Sequence, residues 1–294
     1  MREVHLPRSL EELWPLLDRR PRAALYAGGT DLLVRMGRGM ENPAALVCLE
    51  RIEELKGVNE HGDHIHIGSC TTHSRLLAHP LVQRHLPVLA QAVKTLGSPL
   101  IRNMGTIGGN LCTASPAGDT LPPLYVLEAE VELRSGGRVR RMPVREFIRG
   151  PGVTCIEEGE ILTGIRVKKP ARDLLHHFEK VGRRNALACA VVSLAALIGF
   201  SPDGVVRRAA LAWGSVGPTV VRCPEAEEAL LGQRLSADTL QRAAALVREA
   251  VSPISDLRAD EHYRRRVSGN LLLRLAERPR PGSSGIPPGC CSSK

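Results

Sequence analysis

The sequence predicts a two-domain protein of mixed helices and strands, and three observations carry that reading. The chain has 294 residues, enough for about two domains of ordinary size. Short apolar runs end on glycine pairs, as at Gly28-Gly29 and Gly136-Gly137, which is how strands enter turns. Elsewhere apolar residues return at helical spacing, and the last third before the tail reads as helices. Hydrophobic content of 43% and charged content of 24% are those of a globular chain. Aromatics at 3% leave its core to Leu, Val, Ile and Ala.

The elements follow in order. Ser9 and Glu12 form a capping box for a helix running through Leu17, with Pro15 weakening its later turns. Ala23–Ala27 is a buried strand ending at Gly28-Gly29, and Leu32–Met36 is a helix. Ala45–Leu49 and His64–Gly68 are strands. His64 and His66 share a face, but without a third ligand nearby they read as an exposed strand face, and no metal site is expected. Ser69–Ser74 is a hydroxyl-rich turn and cap, Leu81–Leu96 a helix, and Gly97-Ser98-Pro99 a break. Thr120–Leu127 reads as a short helix, Glu128–Arg134 and Val139–Val144 as a hairpin, and Glu160–Val167 as an alternating strand.

A domain boundary is placed at 170–175, giving domains over 1–172 and 173–277. The second domain opens with a strand over His177–Val181. The apolar run Ala186–Phe200 fits a strand or a helix, and Val191-Val192 tilts it to strand. Val205–Trp213 is a further strand. Helices follow over Pro224–Leu231, Ala237–Val251 (capped by Ser236) and Ala259–Glu277. The last of these, over Tyr263–Leu275, combines apolar and basic residues and reads as a docking surface. From Arg278 to 294 the chain is rich in Pro, Gly and Ser and is expected to be disordered.

The formal net charge is +9, but its basic residues fall in short scattered groups such as Arg138/Arg140/Arg141 and Arg264/Arg265/Arg266. No stripe interleaved with aromatics and no helix-turn-helix or zinc-finger spacing is present, so no nucleic-acid partner is expected. A basic face would equally meet an acidic partner subunit. No apolar run reaches the roughly 20 residues that span a bilayer. The first residues lack the apolar region of a secretory signal, which predicts a cytoplasmic protein. Of the eight cysteines only Cys290 and Cys291 are close together, which excludes the spacing of zinc ribbons and ferredoxin-type clusters. Any iron–sulfur cluster this protein works with is therefore expected on another chain.

One stretch, Arg102 to Asp119, carries four glycines, small hydroxyl residues and two amides, with no helical or strand periodicity. It reads as a loop that bends sharply and brings backbone N–H groups close to a ligand, and the diphosphate of a dinucleotide is the ligand it suits. The earlier Gly28-Gly29-Thr30, between a strand and a helix N-terminus, is a second anion-binding arrangement, although two glycines alone fit a plain turn. By themselves, Lys180 fits a solvated strand lysine and Asp119 a cap for the helix from Thr120.

Taken together, Ala27-Gly28-Gly29-Thr30-Asp31-Leu32-Leu33, Gly68-Ser69-Cys70-Thr71-Thr72 and Ile101-Arg102-Asn103-Met104-Gly105-Thr106-Ile107-Gly108-Gly109-Asn110, with Ala114-Ser115-Pro116 and Asp119, form an ordered set. The chain resembles the FAD-binding medium subunit of molybdenum hydroxylases, the xanthine dehydrogenase and carbon monoxide dehydrogenase group, over residues 2 to 277. The resemblance implies an α+β fold: a two-part FAD-binding domain of the vanillyl-alcohol oxidase (PCMH) type, then a domain of a three-stranded sheet and a helical bundle. It implies that Leu25, Tyr26, Ala27, Gly28, Gly29, Thr30, Asp31 and Leu32 form the first diphosphate loop, and that Thr106, Ile107, Gly108, Gly109 and Asn110 form the second. Leu96 is then expected to touch the cofactor, Asp119 to bind its sugar or adenosine end, Ile161 to lie by the flavin ring and Lys180 to reach the pyrimidine edge. The implied partners are a small subunit with [2Fe–2S] clusters and a large molybdopterin subunit. Electrons would pass from the clusters through FAD to NAD or another acceptor, with no substrate chemistry on this chain. The absence of a cysteine-rich insertion argues against the hydroxybenzoyl-CoA reductase branch. The alternative is a stand-alone FAD-dependent oxidoreductase acting directly on a small molecule.

Overall fold

In the computed structural model, residues 2–184 and 187–278 are described. The first unit is a parallel sheet in which Ala45–Cys48 lies between Glu3–His5 and Ala24–Tyr26. The helix Leu10–Arg19 covers it. Ser9 caps the Glu12 N–H as the sequence predicts, and the Glu12 carboxylate accepts from the N–H of Arg8, one residue before the cap. Leu13 and Leu17 pack with Val47, Leu49, Ile52, Leu55 and Cys70 in a small core.

A five-stranded antiparallel sheet follows, in the order Val58–His61, His64–Gly68, Ile161–Lys168, Glu130–Ser135 and Arg138–Pro143. Ile65 and Ile67 are fully buried while His64 and His66 are half-buried, the alternation expected of one covered face. Helices Pro80–His85, Pro87–Thr95, Ile107–Thr113 and Leu121–Val126 contribute Val82, Leu89, Val93, Leu111 and Leu124 to the core over that sheet. The single helix expected over Leu81–Leu96 is two helices, interrupted at Leu86. Pro87 starts the second, where its missing N–H removes no helical bond.

The last sheet is antiparallel, with Val192–Phe200 between Leu174–Val181 and Val206–Gly214. Its central strand is covered on both faces, which is why its run reads as continuously apolar. Ala195 and Leu197 face the core of the five-stranded sheet, whereas Leu194, Ala196 and Ile198 face helices Pro224–Leu230, Ala237–Ala250 and Glu261–Leu273. The two parts of the chain thus share a hydrophobic core.

Most of the apolar residues that suggest a docking face on Tyr263–Leu275 are turned inward, and of its apolar and basic residues Tyr263, Arg266 and Arg274 are left exposed. Val267, Leu271, Leu272 and Leu275 are buried in the chain's own core. Arg264 is only 3% exposed, donating to the carbonyls of Val191 and Ser215 and to Asp256. It ties the helix to the sheet. The tail from 279 to 294, with Cys290 and Cys291, and Ala186 lie outside the described residues.

Candidate functional site

The strand Ala24–Tyr26 delivers the chain to Gly28 and Gly29 at the edge of the parallel sheet. Gly29 has a φ of +68°, a conformation that glycine adopts without a Cβ penalty. A left-handed residue among ordinary ones turns successive N–H groups toward one point. Among the described residues, no protein acceptor takes the backbone N–H groups of Gly28, Gly29, Thr30 and Asp31. The neighbouring helix Leu32–Gly37 brings Arg35, whose guanidinium is held by Glu41 at 2.7 Å while its Nε stays buried without a partner.

The opposite wall is more regular than the sequence suggests. Far from being an unstructured loop, the glycine-rich stretch after Arg102 contains the end of the helix Pro99–Met104 and a second helix, Ile107–Thr113. Thr106 caps the second helix, its hydroxyl accepting from the Gly109 N–H at 3.1 Å. The N–H groups of Ile107 and Gly108 donate to Thr71 and Ser69, and that of Asn110 to the Thr106 carbonyl. In the Thr106–Asn110 string the N–H groups of 107–110 fasten it to the Ser69–Thr72 turn and to its own cap, and only the Thr106 N–H is left without a protein acceptor among the described residues. The exposed part is Gly109 with the Asn110 side chain, whose oxygen accepts from Thr120 at 2.6 Å, leaving the amide NH2 without a protein acceptor among the described residues.

A cleft of about 370 Å³ opens between the walls. Leu25, Tyr26, Ala27, Gly28, Gly29, Thr30, Asp31 and Leu32 line it, as do Leu96, Thr106, Gly109 and Asn110. The walls touch at their base: a Cβ on Gly28 would lie 1.6 Å from the Met104 carbonyl oxygen. Ile107 and Gly108 point away, Ile107 into the core and Gly108 against Ser69.

Three expected residues do not line the cleft. Ile161 is 2% exposed and packs with Leu13, Val47 and Leu55 in the small core, so it does not reach the cleft. Asp119 and Lys180, expected at different ends of a cofactor, meet each other: Lys180 Nζ donates to Asp119 Oδ2 at 2.6 Å, with both side chains less than a tenth exposed. Lys180 also reaches the carbonyl of Thr95 at 3.2 Å, beside Leu96. Burial pushes the Asp119 carboxyl up to about 6 against the pull of Lys180, and its Oδ1 is buried without a partner. Sequence reasoning passed over His73 and Arg35, which also line the cleft. The signal for His73 is its place one residue after Thr72, the cap of helix His73–Ala78.

A cleft between a glycine turn with unclaimed backbone donors and a glycine-bearing helix start is an arrangement that suits the diphosphate of a dinucleotide, as in a dinucleotide-binding flavoprotein. Residues 1–170 match the FAD binding domain in molybdopterin dehydrogenase, and residues 176–278 match the CO dehydrogenase flavoprotein C-terminal domain. The chain belongs to the FAD-binding subunits of the molybdenum hydroxylase family. It is 31% identical to the nicotinate dehydrogenase FAD-subunit of Eubacterium barkeri, over 93% of this chain and 94% of that one. It is 32% identical to the carbon monoxide dehydrogenase medium chain of Hydrogenophaga pseudoflava, over 92% and 94%. A chain in the crystal structure of the Cu,Mo-CO dehydrogenase, in its cyanide-inactivated form, superposes with a TM-score of 0.89 at 31% identity, covering 94% of this chain and 96% of that one.

The residues present fit FAD. Two phosphates need donors, and the Gly28–Asp31 backbone holds four that no protein atom among the described residues uses. Among the described residues, no group of His, Cys, Asp and Glu is placed to hold a metal ion, and no helix is long and apolar enough to cross a membrane.

Proposed function

We propose that this chain is the FAD-carrying electron-transfer subunit of a molybdenum hydroxylase complex. In this reading a small partner subunit carries [2Fe–2S] clusters and a large one carries molybdopterin. Electrons leave the clusters through FAD for NAD or another acceptor. The observation that carries the reading is the run of unclaimed N–H groups at Gly28–Asp31, facing a glycine wall across a cleft.

Bound FAD supplies a carrier that exchanges electrons singly or in pairs. The chain's own residues bind and orient it. Gly28 to Asp31 would donate to the diphosphate, and Leu25–Ala27 and Leu32 would shape that turn. Gly109 and Asn110 would close the second wall, built on Thr106, Ile107 and Gly108. Leu96 would make an apolar contact. Lys180 would hold the pyrimidine edge with Asp119 as its counter-ion, and the unpartnered Asp119 Oδ1 would accept from a cofactor hydroxyl. Ile161 has no part in this arrangement.

The test is to purify the chain and analyse its flavin, then its co-purifying partners and their metals. About one FAD per chain, with iron and molybdenum arriving only with partners, is the expected result. A folded chain that binds no FAD overturns the reading. Flavin bleaching by a small molecule without any partner would point instead to a stand-alone oxidoreductase.

A further inference from the structure

His73 lies at the seam where the two cleft walls meet. It is 2% exposed and is the first residue of the helix capped by Thr72, and its own N–H donates to the Gly105 carbonyl at 3.0 Å. The ring is fixed against Gly105 as well. A Cβ on that glycine would sit 3.2 Å from His73 Cδ2 and 3.3 Å from Thr30 Oγ1, so ring edge and hydroxyl border the same point of the cleft.

The two ring nitrogens differ. Nδ1 is sealed from solvent and has no hydrogen-bond partner among the described residues. Nε2, next to Cδ2, also has no protein partner among the described residues, and unlike Nδ1 it is not among the sealed atoms; since His73 lines the cleft, Nε2 is the ring nitrogen open to a ligand there. Orphaned buried N–H groups are rarer than orphaned acceptors. The favoured tautomer therefore leaves a bare lone pair on Nδ1 and carries its proton on Nε2. Protonating the ring would bury an unpaired cationic donor, and burial with the nearby Arg102 charge pushes the imidazole down to about 4. The ring stays neutral at pH 7. What it presents to the cleft is one N–H donor, beside Thr30 and the unclaimed N–H groups of Gly28–Asp31.

We propose that His73 is a further cofactor-binding residue, its neutral Nε2–H donating to the diphosphate of FAD at the seam between Thr30 and Gly105. The inference rests on the reading of the cleft as the FAD site. Nε2 would gain from the ligand the acceptor it lacks in the protein, while Nδ1 stays without a partner in either state.

Two variants of the full chain test this, read by FAD affinity and by thermal unfolding of the flavin-free protein. His73→Leu removes the donor at similar volume and is expected to weaken FAD binding about tenfold to a hundredfold, the range for a hydrogen bond to a charged group. Its flavin-free midpoint is expected to equal or exceed that of the unsubstituted chain. His73→Gln, whose amide NH2 reaches about as far as Nε2, is expected to recover most of the affinity. A His73→Leu chain that binds FAD as tightly as the unsubstituted one overturns the inference alone. So does a loss of affinity matched by a fall in the flavin-free midpoint and not relieved by Gln, which would make the ring a packing element. An unsubstituted chain that binds no FAD overturns the reading of the cleft and this inference with it.

Discussion

Residues 28–31 leave four backbone N–H groups without a protein acceptor among the described residues, whereas residues 107–110, across the cleft, use all of theirs inside the protein. Both strings are glycine-rich and both read as phosphate loops in sequence. Their glycines serve close approach more than donor supply. Gly28 has Met104 where a Cβ would go, and Gly108 has Ser69 at 2.6 Å. Of Gly108 and Gly109, it is Gly109 that lies on the cleft side, its nearest neighbour being its own cap, Thr106 Oγ1, at 3.0 Å. One wall is therefore a donor surface. The other is a scaffold that holds the first in place and closes the space opposite it.

The sharpest way to break this contrast is Gly28→Ala. The Met104 carbonyl is backbone and cannot turn aside like a flexible side chain, so the walls must separate. A loss of about 3 kcal/mol or more is expected, at the upper end of overpacking costs, together with complete loss of bound flavin. Urea unfolding and flavin content check both. Gly109→Val should act on the other side of the contrast. A Cβ there would come 3.0 Å from Thr106 Oγ1, so the cap hydroxyl has to give by a few tenths of an ångström, and Val changes intrinsic helix preference by less than about 1 kcal/mol. The added side chain borders the cleft, so flavin retention should be abolished while the flavin-free midpoint moves by only a few degrees. A Gly109→Val chain that keeps its FAD would remove the second string from the site.

Much of this was legible in the sequence because it depends on local chemistry. Ser9, Thr72 and Ser236 all cap helices through their own side chains, and His64–Gly68 alternates as a half-covered strand must. What lay outside the sequence depends on non-local partners. Thr71 and Ser69 claim the N–H groups of Ile107 and Gly108, which turns an apparent loop into a fastened helix start. Asp119 and Lys180 are 61 residues apart and belong to different sheets' surroundings, yet form one buried pair. Ile161 reads as one more strand residue, and only the packing of Leu13 and Val47 above it shows that its face is core. Helix Glu261–Leu273 reads as basic and exposed because nothing in its own sequence reveals that Arg264 finds three acceptors.

The smallest effect isolates the scaffold role most cleanly. Thr106→Ala removes the hydroxyl that accepts from Gly109 and frees that N–H toward the cleft. An N-cap loss of this kind costs about 1 kcal/mol, which for a chain of this size is a fall of roughly 2–4 °C in the unfolding midpoint. If the second string is scaffold, that fall should be full in the flavin-free protein, because the cap works without a ligand. Thr106→Ser should restore it. FAD affinity should drop less than about tenfold in the Ala variant, since the released Gly109 N–H gains a phosphate as a possible acceptor. A Thr106→Ala chain with an unchanged flavin-free midpoint and a large loss of FAD affinity would invert the assignment: the threonine hydroxyl would belong to the cofactor and the second wall would be a donor surface like the first.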